Sequence, residues 1–186
     1  MKEIRIHARA GQGAITTARI LAVAAFEQGK YALAFPHFGA ERMGAPMNAF
    51  VRIDSGKIRL RSRVNSPDYV LVVDPSLIAS EEFGVFDGLK ADGAAVINYS
   101  GATGELAGRT AARIWAVPAS EIALEVLGQD RANTPLLGAF AAATGEIEFW
   151  ALEKAIVANF GEGSVATKNV EAARRAFALI ADRVPV

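Results

Sequence analysis

Ile4-Arg5-Ile6-His7-Ala8-Arg9-Ala10-Gly11-Gln12-Gly13-Ala14 is the stretch whose reading decides the fold. Ile4 and Ile6 alternate with polar neighbours, so the spacing predicts a strand over Lys2 to Ala8. Beyond the glycines, Ile15, Ala18, Ile20, Leu21, Ala24 and Ala25 recur at helical spacing and cover one apolar face. Gly29 stands where a helix C-cap is expected, and Tyr31 to Phe35 reads as a second strand. A strand, glycine turn, helix and strand in this order favour a parallel pair, with the turn at the carboxyl edge of the sheet.

Working outward, Asn48 to Ile53 and Ile58 to Arg63 flank Asp54-Ser55-Gly56-Lys57, which predicts a β-hairpin. Tyr69 to Val73, Ala94 to Asn98 and Arg113 to Val117 are short apolar runs, as expected of strands buried on both faces. The last third predicts helices over Ala119 to Leu127, Asn133 to Thr144, Glu148 to Asn159 and Ser164 to Ala181. The expected architecture is an α/β fold: a three-layer, mostly parallel, Rossmann-like sheet with a local antiparallel hairpin and helices on both faces. With no linker or repeat, residues 1–186 read as a single domain.

Composition narrows the function. The net charge of zero gives no general drive toward nucleic acid or an anionic membrane, and no apolar run is long enough to span a bilayer. The first residues lack the apolar core of a secretory signal, so a cytoplasmic location is expected. There is no cysteine, which excludes disulfides, thiolate nucleophiles and cysteine-ligated iron–sulfur clusters on this polypeptide. With His7 and His37 as the only histidines, a metal site is not expected.

The glycine turn is the first candidate site. Gly11 and Gly13 allow close approach to backbone N–H groups at a helix start, which suits phosphate or carboxylate. Arg9 is placed to add an anion contact and Gln12 a directional hydrogen bond. Thr16 stands where a dinucleotide fingerprint needs its third glycine, and no acidic residue closes the second strand, so a turn that only packs helix on sheet is the competing reading. Glu41 and Arg42 sit in a constrained loop, 38–46, on the same sheet edge. There Arg42 reads as an anion contact, as a partner of Glu41 or as a solvated surface arginine, and His37 as an acid–base group or a packing residue. Arg59, Arg61 and Arg63 alternate along the predicted hairpin strand and read as a contact for a phosphorylated ligand or an acidic partner subunit, or as a charged edge; with Arg52 expected near Arg61 across the hairpin, Arg52, Arg59 and Arg61 are the subunit-interface candidates. Asp74 reads as a cap or a cleft residue. Asn133 and Thr134 read as N-caps, with Asn133 also a ligand contact. No residue stands out as catalytic.

Ile6 to Ala14, Ala34 to Pro46, Ile58-Arg59-Leu60-Arg61-Ser62, Pro67-Asp68, Val73-Asp74-Pro75-Ser76-Leu77, Asn133-Thr134 and Lys168-Asn169 together resemble the γ subunit of pyruvate:ferredoxin oxidoreductase and related 2-oxoacid oxidoreductases. Ala10 and Met43 depart from the family pattern, which usually has glycine and arginine there. The resemblance implies a non-autonomous subunit of a complex that oxidatively decarboxylates a 2-oxoacid to an acyl-coenzyme A. Thiamine diphosphate and iron–sulfur clusters would lie on α-, β- and δ-type partner chains, and electrons would pass to ferredoxin or a similar acceptor. This chain would bind no cofactor alone but would close part of the active-site or coenzyme A region. Its candidates for that contact are Arg9, Gly11, Gln12, Gly13, Glu41, Arg42 and Asn133. The alternative is a stand-alone nucleotide- or anion-binding regulatory module.

Overall fold

The computed structural model describes residues 1–37 and 44–183. Its sheet has six strands: β1 (Lys2–Arg9), β2 (Tyr31–His37), β3 (Pro46–Asp54), β4 (Tyr69–Val72), β5 (Ala94–Asn98) and β6 (Arg113–Val117). Five α-helices accompany them: α1 (Ala14–Glu27), α2 (Ala119–Leu127), α3 (Asn133–Thr144), α4 (Phe149–Phe160) and α5 (Ser164–Ala181). The strand order is β2-β3-β1-β4-β5-β6. β1, β4, β5 and β6 are mutually parallel, and β3 runs antiparallel to both β1 and β2.

Strand alternation sorts the side chains into two layers. Ile4, Ile6, Ala8, Val51, Leu71, Val96 and Val117 face the helices and join one core with Leu21, Phe140 and Ile156. Val70, Val72, Ile97, Ile114 and Ala116 face the other way and pack with Leu77, Val85 and Leu106. Helical structure covers both faces, but unequally. All five α-helices contribute to the first core, while the second face carries the 3-10 turns Pro75–Ala79 and Glu81–Phe83 among irregular chain. In the helical layer Gly138 lets α3 meet α5, because a Cβ there would stand 2.0 Å from the Ala173 carbonyl oxygen.

Two sequence expectations need correction. The first two strands do run in the same direction, but β3 lies between them and pairs with each. The hairpin of 48–53 with 58–63 does not form, because β1 and β2 already occupy both hydrogen-bonding edges of β3. Residues 58–63 are irregular, and the Arg52 guanidinium takes their carbonyls instead, at Leu60 (3.2 Å), Ser62 (2.8 Å) and Arg63 (3.4 Å). A second arginine does the same work nearby. The buried Arg5 guanidinium donates to the carbonyls of Val64, Gly84, Val85 and Asp87. Cationic donors thus hold chain that has no ladder of its own, and burial lowers the Arg5 pKa below its ordinary value.

Candidate functional site

β1 and β4 are adjacent and parallel, but their connections diverge: β1 leads through α1 to the far edge at β2, and β4 leads the other way to β5. Such a switch point leaves a crevice at the carboxyl ends of the two strands. A cavity of about 470 Å³ opens there. Its wall comes from Gly11 and Gln12 after β1, Asp74 and Pro75 after β4, Asn98 to Gly101 after β5, Ser120 in α2, and Asp130 to Ala132 before α3.

The glycine loop is built for backbone exposure. Gly11 and Gly13 have φ of 94° and 83°, a region that costs other residues strain. The N–H groups of Gly11, Gly13 and Ala14 make no hydrogen bond among the described residues. The loop's own side chains are turned on one another. The Gln12 amide accepts from the Arg9 N–H (2.7 Å) and donates to the Asp74 carboxylate (2.7 Å). Arg9 reaches Ser76 Oγ (2.9 Å), the Gly44 carbonyl (3.1 Å) and Asp74 (3.2 Å). Burial alone would raise the Asp74 pKa, but hydrogen bonds from Ser76 and Gln12 and the Arg9 charge hold it below the ordinary carboxylate value. Arg9 and Gln12 therefore shape the loop, whose backbone is the part left to face a ligand.

Asn133 fixes the loop from the far side. Its amide donates to the Gln12 carbonyl (2.9 Å), the Gly13 carbonyl (3.1 Å) and Thr17 Oγ1 (2.8 Å). A Cβ on Gly13 would stand 2.7 Å from that nitrogen, so glycine is needed for φ and for space alike. The expected capping role of Asn133 and Thr134 is absent: α3 begins after Ala132 without a side-chain cap, and Thr134 donates to Asn169 (2.9 Å). Both side chains are buried, so their polar atoms go to tertiary partners rather than to the helix end. Asp74 plays both parts expected of it, accepting from the Ser76 N–H (2.9 Å) and lining the cavity.

The structure adds residues the sequence reading passed over. Asn98 donates to the Val73 carbonyl (2.9 Å) and Ser120 Oγ (2.9 Å), and its own oxygen accepts from the Ser120 N–H (3.0 Å), so one buried amide ties β4, β5 and α2 together. Tyr99 donates to Glu105 at the rim, which raises the tyrosine pKa. Arg131 lines the cavity without a side-chain partner among the described residues. A polar residue directly after a buried apolar run was the available signal for Asn98; an arginine in a loop offered none.

The other candidates fall elsewhere. Glu41 and Arg42, with the His37 side chain, lie outside the described residues. Arg59 and Arg61 are exposed on irregular chain rather than on one strand face. Arg52 is not at the surface: it is 1% exposed and paired with Glu3 at 2.7 Å, so its guanidinium faces inward. His7 is buried, accepts from Arg5 Nε (2.9 Å), and is pushed down to about 3 by burial and then by the Arg5 charge, which leaves it neutral. Among the described residues no group of side chains could hold a metal ion, and no helix is long and apolar enough to cross a membrane.

Residues 3–179 match the family described as pyruvate ferredoxin/flavodoxin oxidoreductase. The chain belongs to this family. The pyruvate synthase subunit PorC of Methanothermobacter thermautotrophicus is 49% identical over 177 residues, 95% of this chain and 94% of the relative. The pyruvate/ketoisovalerate oxidoreductases common subunit gamma of Pyrococcus abyssi is 47% identical over 180 residues, 95% of this chain and 96% of the relative. Among solved structures, the pyruvate oxidoreductase subunit PORC of Thermotoga maritima superimposes with a TM-score of 0.83 at 39% identity, covering 95% of each chain. These relatives match the chain nearly end to end, so the α/β architecture and the enzyme family agree.

Proposed function

We propose that this chain is the γ subunit of a 2-oxoacid oxidoreductase complex, folded as one domain, and that its switch-point cavity closes the coenzyme A side of the active site. The relatives named as PorC and as common subunit gamma support the assignment to a multi-subunit enzyme. The observation that carries the local reading is the cavity at the carboxyl ends of β1 and β4, with three unpartnered backbone N–H groups at the start of α1.

In this reading α-, β- and δ-type chains in the cytoplasm hold thiamine diphosphate and the iron–sulfur clusters. Thiamine diphosphate supplies the carbanion chemistry when bound there. This chain orients a phosphorylated acyl acceptor, excludes water and transfers no proton. Glu41 and Arg42 belong to the same proposed contact, and the exposed Arg59 and Arg61 to an interface with a partner chain.

Native affinity purification with mass spectrometry of partners and a visible spectrum tests the assignment. A brown assembly holding thiamine diphosphate and cysteine-rich chains is expected. A colourless, monodisperse protein that binds a nucleotide alone would replace the proposal with the regulatory module.

A further inference from the structure

We infer that residues 57–63 form a docking strip for an extended, acidic segment of another subunit of the complex. The inference rests on the reading that this chain works as a subunit, and it names the chemistry of one partner contact. Lys57, Arg59, Arg61 and Arg63 place a cation at every second position of the strip, and no carboxylate stands between Ser55 and Ser66. The whole chain carries a net charge of zero, so this positive charge is local. None of the four side chains lines the switch-point cavity.

The strip differs from the rest of the charged surface. Elsewhere surface cations are matched: Lys90 by Asp68, Lys154 by Glu27, Arg174 by Glu153, and Arg175 by Glu125 and Glu171. All four cations of the strip are exposed, and none of their side chains makes a hydrogen bond or ion pair among the described residues. Like charges this close repel one another, and carboxylates brought from outside remove that repulsion.

The backbone beneath them favours the same kind of ligand. Buried Arg52 takes the carbonyls of Leu60, Ser62 and Arg63, and Arg5 takes that of Val64. A trans peptide unit points its N–H opposite its C=O, so the N–H groups of Arg61 and Arg63, which follow Leu60 and Ser62, face away from Arg52. No N–H from Arg59 to Arg63 makes a hydrogen bond among the described residues. Outward N–H groups at alternate residues are the donor pattern of a strand edge. An extended segment laid there gives its carbonyls to these donors and its carboxylates to the arginines, while an apolar side chain meets Leu60, which is 47% exposed. A nucleic acid would answer the charges but would leave the strand-like donors and Leu60 unused.

The test uses the purified complex. Carbodiimide joins an amine to a carboxylate in contact with it, so treating the native complex is expected to link Lys57 to an aspartate or glutamate of a partner subunit. Arg61→Lys keeps the charge and adds an amine, and should assemble normally and give a further link to the same acidic segment. The double variant Arg59→Glu/Arg61→Glu should weaken assembly by about tenfold or more at low salt, with a gap from wild type that narrows as salt rises. Its circular dichroism and Tm should match the wild type, because both side chains are exposed and unpaired among the described residues. Wild-type assembly of the double variant, with no cross-link from the strip, would overturn the inference, as would an assembly that falls apart on nuclease treatment. A wild-type chain that recovers no partner subunit removes the underlying reading as well, whereas a complex that forms equally with the reversed charges removes only the strip.

Discussion

Arg52 and Arg131 carry the same guanidinium into opposite situations. Arg52 lies at 1% exposure with its donors on Glu3 and three carbonyls of residues 60–63. Arg131 lies exposed on the wall of the switch-point cavity, with no side-chain partner among the described residues. The first is part of how the chain folds, and the second is free to meet something else. The same split runs through the candidate site, where Arg9, Gln12 and Asn133 hold the glycine loop while its backbone N–H groups stay open.

Substitution can break this comparison, and the largest effect falls on the buried side. Arg52→Met removes the buried member of a part-buried pair and frees three carbonyls. It should cost about 3–5 kcal/mol of stability, measured by urea unfolding. A loss below 1 kcal/mol would show that the guanidinium does not organise residues 58–63.

His7 gives the next effect, through pH. Its folded pKa is depressed to about 3 against an ordinary 6.5, so the unfolded chain takes up a proton that the folded chain refuses. Stability from this group is full above about pH 6.5 and falls by about 1.4 kcal/mol per pH unit toward pH 3. Unfolding free energies between pH 7 and 4.5 should show that slope in the wild type and lose it in His7→Gln; equal slopes would contradict the buried, neutral state.

Asn133→Ala should cost about 1–3 kcal/mol, because the Gln12 and Gly13 carbonyls and Thr17 lose a shared donor. It should also loosen the glycine loop, visible as faster amide exchange over residues 10–14. Arg131→Ala should change stability by less than about 0.5 kcal/mol, as befits an exposed side chain without a partner. A larger loss would move Arg131 to the structural side of the comparison.

Much of this architecture was legible in the residues. Periodicity located all six strands and five helices to within a residue or two, because apolar runs such as Tyr69 to Val73 admit few other placements. Pairing was harder. Residues 58–63 carry a strand-like alternation, but no free edge of β3 is left for them, and that depends on where β2 ends up rather than on local sequence. At the site, Gly11 and Gly13 announced the loop, and Asp74 announced the end of β4. The direction in which Arg9 and Gln12 point was not legible, since Asp74 lies some sixty residues away in the chain. Arg131 was invisible for the same reason, lacking any neighbour in sequence that marks it.

The most direct test is hydrogen–deuterium exchange on the purified complex, with and without coenzyme A, read over the peptides of this chain. Slower exchange at residues 10–14 and 129–133 on adding the coenzyme is the predicted result. Unchanged exchange in this chain, with protection only in the partner subunits, would contradict the claim that its switch-point cavity closes the coenzyme site.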